Sequence, residues 1–270
     1  MQDEVYRYNV ERWEALVAAD ALFTRPMLDL DTGKAQAYLG LTRLGIPDDL
    51  AGRKVLCLAG GGGQQSAAFA LLGADVTVFD ISPGQLERDR LAAEHYGVGI
   101  RTIQGDMRDL SALDDSSFDL VWHPYSLTFV PDSRIVFREV ARVVRTGGHY
   151  YLMCANPFFS GLTHDSYNGE GYTLRQPYTD EAATSYPDQD WVYGREPDGR
   201  QISEPREYRQ TLGRIVNSLI GEGFTLTHLS EVRSDHPDAE PGSWAHFATV
   251  APPWLEFVWK YGPGVSGASA

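Results

Sequence analysis

Four consecutive glycines, Gly60 to Gly63, and the acid Asp80, 19 residues after Gly61, are the residues best suited by type and spacing to do chemistry. A glycine run removes every Cβ from a short stretch, so a ligand can approach backbone where a side chain would clash. An acid one strand further on can accept hydrogen bonds from both hydroxyls of a ribose. Their positioning falls to the flanking residues. Val55 to Leu58 is a short apolar run of the kind that makes a strand buried on both faces. Gln65 to Leu72 reads as a small-residue helix, whose N-terminus supplies free N–H groups and partial positive charge, and Gly73 stops it. Val76 to Phe79 is a second strand, ending on Asp80. The unit is βαβ, and the ligand it suits is a nucleoside.

The dinucleotide fingerprint G-x-G-x-x-G/A does not fit. Gly61 and Gly63 are followed by Ser66, and Gly60 and Gly62 by Gln65, while Gln64 and Gln65 stand where a pyrophosphate wants the helix start clear. The stretch instead resembles motif I and the following acidic loop of class I S-adenosylmethionine (SAM) dependent methyltransferases. Gly61, Gly63 and Asp80-Ile81-Ser82 match that pattern; Cys57 stands where the family usually has an acid, and Ala59 where it has a glycine. Two later landmarks follow in family order. Gly105-Asp106-Met107-Arg108, after a short strand Ile100 to Gln104, resembles the family's GD loop, and RVVRTGGHYYLM resembles its GG turn, with Thr146 in place of proline. The resemblance covers roughly residues 50 to 155. It belongs to the broad group that includes the ubiquinone and menaquinone methyltransferases, and it says nothing specific about the acceptor.

The resemblance implies SAM as cofactor. It assigns the glycine turn to Ala59, Gly60, Gly61, Gly63 and Gln65, and the ribose side to Asp80, Ile81 and Gln85. Gly105, Asp106 and Met107 fall to the adenine, with Asp106 accepting from its exocyclic amine; a plain turn acid is the other reading of Asp106. It also implies a Rossmann-like, doubly wound α/β fold with a seven-stranded, mostly parallel sheet and an antiparallel C-terminal hairpin.

The remaining elements are read from pattern. Val5 to Leu22 makes a helix with Val10, Trp13, Leu16 and Val17 on one face, and Thr32 to Leu44 makes a second, ending at Gly45. Ser82 caps a helix to Tyr96 with Leu86, Leu91 and Ala92 inward. Phe118 to Trp122 is a fourth strand. Asp132 caps a helix through Val144 with Ile135, Val136, Val140, Val143 and Val144 buried, and His149 to Cys154 is a fifth strand. Asn156 to Pro205 carries five prolines yet many aromatics, among them Tyr172, Tyr186, Trp191 and Tyr193. Disordered segments lack aromatics, so it is expected to be an ordered lid. Glu207 to Ile220 returns to helix; Phe224 to Val232 and Trp254 to Tyr261 make the last strands. The expected organisation is a helical cover over 1–48, a core over 49–155, a lid over 156–205, and a helix and hairpin over 206–262 that complete the same domain.

Methyl transfer from a sulfonium needs alignment, and a protic acceptor can also need a base. His123, after the fourth strand, is the candidate base and lies beside the cofactor; the other reading is a strand-end histidine bonded to backbone. Tyr125 and Ser126 are candidates for shaping the acceptor site. Tyr6, Tyr8 and Trp13 on the first helix, and Tyr172 in the lid, are candidates for touching substrate, plain helix packing being the competing reading of Trp13.

The chain has 270 residues with 22% charged side chains and a net charge of −14. That charge disfavours nucleic acid and anionic membrane, which both attract Lys and Arg; only Lys34 and Lys54 precede the C-terminal tail. No stretch approaches the ~20 apolar residues of a membrane span. Cys57 and Cys154 fall in strands separated by another strand, too far apart for a disulfide, and suit a reducing cytoplasm. No spacing suggests a metal site. The expected partner is a small-molecule acceptor, with the chain as monomer or homodimer. An NAD(P)-dependent oxidoreductase and a non-catalytic SAM-binding module are the alternatives.

Overall fold

In the computed structural model, which describes residues 3–159, 162, 166–174, 177–186 and 202–262, the apolar runs assemble one seven-stranded sheet. Its strands are β1 (Lys54–Leu58), β2 (Asp75–Asp80), β3 (Ile100–Gln104), β4 (Phe118–His123), β5 (Val144–Ala155), β8 (Phe224–Val232) and β9 (Trp254–Tyr261), in the order β3-β2-β1-β4-β5-β9-β8. The first five pair in parallel, and β9 runs antiparallel between β5 and β8. Strand order reverses beside β1, which puts a crevice at the carboxyl ends of β1 and β4.

Alternation along each strand splits the core between the two faces. Leu56, Leu58 and Phe79 pack on one side with α5 (Ser133–Val143) and α6 (Leu212–Gly221). Val55, Cys57, Val76 and Val78 pack on the other with α2 (Thr32–Leu39), α3 (Gln65–Leu71) and α4 (Pro83–Tyr96). Both cysteines are buried and free, with β4 between their strands. Trp122 stacks on Tyr151 at 3.7 Å and meets Phe69 edge-on at 5.3 Å, tying β4 to β5 and α3.

Several boundaries differ from the pattern reading. α1 (Glu4–Ala18) ends four residues early and buries Asn9 and Arg12 besides Leu16; a short 3₁₀ turn, Leu22–Thr24, follows. α2 stops at Leu39 because Gly40 takes φ 58°, where the helix cannot continue. Leu91 and Ile135, expected inward, are 42% and 37% exposed, because α4 buries the face of Gln85, Leu86, Asp89 and Ala92 and α5 that of Val136, Phe137, Val140 and Val143. Glu207 does not open a helix: Glu207–Tyr208 is a strand, β7, paired antiparallel with β6 (Ala183–Thr184), and Thr211 caps α6 instead. Val144 opens β5, so α5 closes at Val143. A short helix that the pattern did not reveal, α7 (Trp244–Val250), precedes β9. Trp191 and Tyr193 lie outside the described residues. No helix among the described residues is long and apolar enough to cross a membrane.

Candidate active site

A cavity of about 1610 Å³ opens at the carboxyl ends of the parallel strands. Its floor is the turn after β1 (Ala59, Gly60, Gly61), the end of β2 (Asp80, Ile81), the turn after β3 (Gly105 to Arg108) and the turn after β4 (Pro124 to Ser126). Trp13 of α1, the residues around the 3₁₀ turn, Trp244 and Phe247 of α7, Tyr186 and Glu207 form its walls.

The floor is built by close approach. A Cβ on Gly61 would lie 2.8 Å from Gln85 Cβ and 3.1 Å from the Asp80 carboxyl, so only glycine fits there. Ala59 holds φ 45°, a strained value for a residue with a side chain. Asp80 is 7% exposed. Its Oδ2 accepts from the Gly61 amide at 2.9 Å and its Oδ1 from the Ser82 amide at 2.9 Å. Burial raises its pKa, against the lowering effect of those amides. Two more acceptors stand beside it. Gln65 and Gln85 line the same cavity, and their side-chain oxygens are buried with no hydrogen-bond partner among the described residues.

The loop amides are committed elsewhere. Those of Gly62 and Gly63 donate to Asp89 of α4, at 3.1 and 3.0 Å. Ser66 Oγ, in the first turn of α3, donates to the same carboxylate. Gly63 takes φ 74°, and its missing Cβ makes room for the Arg88 carbonyl 2.6 Å away. It therefore packs on α4 and does not line the cavity. Glu14 of α1 ties the ribose-side turn from above, accepting from Ser82 Oγ at 2.6 Å and the Gly84 amide at 2.9 Å. Asp106 holds Arg108 through both oxygens, and Arg108 reaches on to Asp3 at 2.8 and 2.9 Å. Asp106 thus lines the cavity with its carboxylate already engaged, where the pattern expected it to wait for an amine.

The expected floor residues Ala59, Gly60, Gly61, Gln65, Asp80, Ile81, Gln85, Gly105, Asp106 and Met107 meet on this cavity, with Trp13, Tyr125 and Ser126. His123 does not. It closes β4, is fully buried, and shares a 2.8 Å hydrogen bond through Nδ1 with Tyr150 Oη. Burial holds its pKa down to about 3, so it stays neutral inside the sheet. Tyr6 and Tyr8 also lie off the cavity; Tyr8 donates to the Glu204 carbonyl at 2.6 Å and stacks under Arg206. Tyr172 bonds His246 Nδ1 at 2.9 Å, away from the opening. In their place the structure supplies Glu207, 2% exposed, which accepts from Tyr186 at 2.8 Å and Tyr125 at 3.3 Å on the cavity wall. Nothing in the spacing around Glu207, Glu14 or Asp89 announces them, because each reaches its partners across the fold.

The comparisons agree with this architecture. The methyltransferase domain family matches residues 56–152. The chain is 46% identical over 116 residues to the uncharacterized methyltransferase YbaJ of Bacillus subtilis, covering 42% of this chain and 46% of that protein. It is 36% identical over 108 residues to a ubiquinone biosynthesis O-methyltransferase of Xanthomonas oryzae pv. oryzae, covering 40% and 45%. The chain thus spans less than half the length of the curated relatives it matches. A SAM-dependent methyltransferase from Mesorhizobium loti superposes with a TM-score of 0.60 at 22% identity, over 83% of this chain and 97% of that one. A putative one from Listeria monocytogenes does so with 0.61 at 16%, over 85% and 99%. Residues 56–152 match the methyltransferase domain family, and the fold built around them is the one these SAM-dependent methyltransferase structures share.

Proposed function

We propose that this chain is a SAM-dependent methyltransferase acting on a small molecule. The observation that carries the reading is the polarity of the cavity floor. Asp80, Gln65 Oε1 and Gln85 Oε1 are all acceptors, and the two amide oxygens lack a partner among the described residues. They suit a ligand rich in donors: a ribose and an ammonium. A pyrophosphate needs donors, and the amides of Gly61, Gly62 and Gly63 are all given to Asp80 and Asp89. That argues against a nicotinamide dinucleotide. The cavity floor at Gly61 and Asp80 suits the nucleoside of SAM, with Met107 and Ile81 as flanking apolar surface. When bound, SAM supplies an electrophilic methyl group on a positively charged sulfur.

The acceptor side is read from the same cavity. A drug-sized ligand occupies ~300–1,000 Å³, and about 1610 Å³ leaves room for a second molecule. This favours a transferase over a binding module. Tyr125 and Tyr186 orient the Glu207 carboxylate on the wall that follows β4. In our reading Glu207 takes the proton from a hydroxyl or amine acceptor, and the aromatic walls keep water out. The ubiquinone biosynthesis O-methyltransferases that share the core point the same way, toward an oxygen acceptor.

The cofactor half is tested by thermal denaturation with SAM, S-adenosylhomocysteine, NAD and NADP. The two sulfur ligands are expected to raise Tm, since a ligand that binds only the native state stabilises it; a shift with NAD or NADP alone would overturn the reading. For the acceptor half, methyl-labelled SAM is offered with a panel of phenols, amines and thiols. Glu207→Gln is expected to lower turnover ~10²–10⁴-fold while S-adenosylhomocysteine binds as before. Turnover within a few-fold of wild type would remove Glu207 from proton transfer.

A further inference from the structure

We propose that Asp89 is a positioning residue for the cofactor floor: its carboxylate, reaching across from α4, latches the glycine turn, and uptake of a proton releases the latch. The affinity half of this proposal rests on the reading of the cavity given above; the latch itself does not.

The geometry is specific. Asp89 is fully buried. Its Oδ1 accepts from the Gly63 amide and from Ser66 Oγ, and its Oδ2 accepts from the Gly62 amide. One side chain therefore fixes the second half of the glycine turn and the first turn of α3 together. Gly61, which lines the cavity floor, is held on its other side by Asp80. Asp80 and Asp89 act from β2 and α4 like two hands on one short loop. Gly62 and Gly63 take φ 119° and 74°, and outside this carboxylate the Gly63 carbonyl accepts from the Met27 amide at 3.1 Å.

Among the described residues, the charged and titratable groups facing this carboxylate offer no cation. They are Asp80 from β2, which repels it, and Cys57 from β1. Arg88, next to it on α4, points instead to Asp20 at 3.4 Å. Neutral donors alone stabilise the charge, and burial outweighs them and pushes the pKa up to about 7. A proton on Oδ2 sets an O–H against the Gly62 N–H. A proton on Oδ1 displaces Ser66 or Gly63. With the proton on Oδ2 the Gly62 amide loses its acceptor; on Oδ1 the Gly63 amide loses it wherever Ser66 Oγ does not turn to accept the proton, because a carboxylic acid accepts less than a carboxylate.

The sign of the effect separates the latch from general acid damage. The folded chain binds this proton more readily than the unfolded chain. Folding stability from Asp89 therefore grows as pH falls from above 7 toward the ordinary carboxylate value. Cofactor affinity moves the other way, because the turn loosens.

The test uses the full chain without cofactor and follows the Gly62 and Gly63 amide resonances and their exchange protection by NMR from pH 5.5 to 8.5. In wild type both amides are expected to shift with one midpoint near neutrality and to lose protection at low pH; in Asp89→Asn both are flat. Ser66→Ala removes one donor to the carboxylate and is expected to move the midpoint upward, a result that does not depend on how well Asp89→Asn folds. Calorimetry with S-adenosylhomocysteine is expected to show about tenfold weaker binding at pH 6 than at pH 8 in wild type, the worth of one hydrogen bond, and no such ratio in Asp89→Asn. Flat wild-type amides, a titration that survives Asp89→Asn, or equal wild-type affinities at the two pH values would each overturn the proposal. Failure of S-adenosylhomocysteine to bind wild type at either pH overturns the cofactor reading and the affinity half with it, and the amide titration still decides the latch.

Discussion

Each oxygen of the Asp80 carboxylate takes a backbone amide, and the residue lines the cavity. Asp80→Ala removes a charged partner of ligand hydroxyls, a loss of about 1.5–3 kcal/mol, so SAM should bind roughly ten- to a hundredfold more weakly. Asp80→Asn keeps an acceptor for the Gly61 amide and should fall between. Wild-type affinity by calorimetry in both variants would take Asp80 out of the site. The acid was legible because its place, one βα unit after a glycine turn, is set by local geometry. His123 was not legible in the same way. Position at the end of a central strand says nothing about which way a side chain turns, and here Tyr150 of the next strand captures the ring. Asp89, Glu14 and Glu207 had no signature at all, since their partners lie 26, 68 and 21 residues away.

At the level of elements, the turn from β3 is the tightest fit. A Cβ on Gly105 would lie 2.2 Å from Phe79 Cζ, and Phe79 is 2% exposed in the core of β2. Gly105→Ala should therefore cost ~1–3 kcal/mol by overpacking and lower Tm by roughly 2–4 °C for each kcal/mol. An unchanged Tm would mean that the Phe79 ring moves aside without cost. The elements β1 to β5 and their helices were readable from the sequence because each carries its own apolar run and its own stop. α7 was not: seven residues between two loops hold too few turns to display a period. Glu207 was misassigned because β7 is only two residues long and exists through pairing with β6, which no local pattern encodes.

For the whole molecule, two buried groups pull stability in opposite directions with pH. His123 is held neutral, with its pKa brought from 6.5 down to about 3, so the unfolded chain takes the proton first and acidification through that window removes stability. Asp89, raised from 3.8 to about 7, adds stability over an overlapping window. Urea unfolding at a series of pH values should show a steeper acid loss in Asp89→Asn than in wild type between about pH 6.5 and 4. Parallel profiles would mean that the two groups do not offset one another. The same scale gives the first helix its meaning. α1 is joined to Arg108 through Asp3, to the Ser82 turn through Glu14, and to the returning segment through Tyr8 with Glu204 and Arg12 with Ser203. Those partners stand 105, 68, 196 and 191 residues further along the chain. On a ribosome α1 therefore emerges before the strands it covers and is fully seated only after residues 203 and 204 have been made. A nascent chain stalled before them has the cavity floor but an unanchored roof, so the cavity closes only once its far wall has been made.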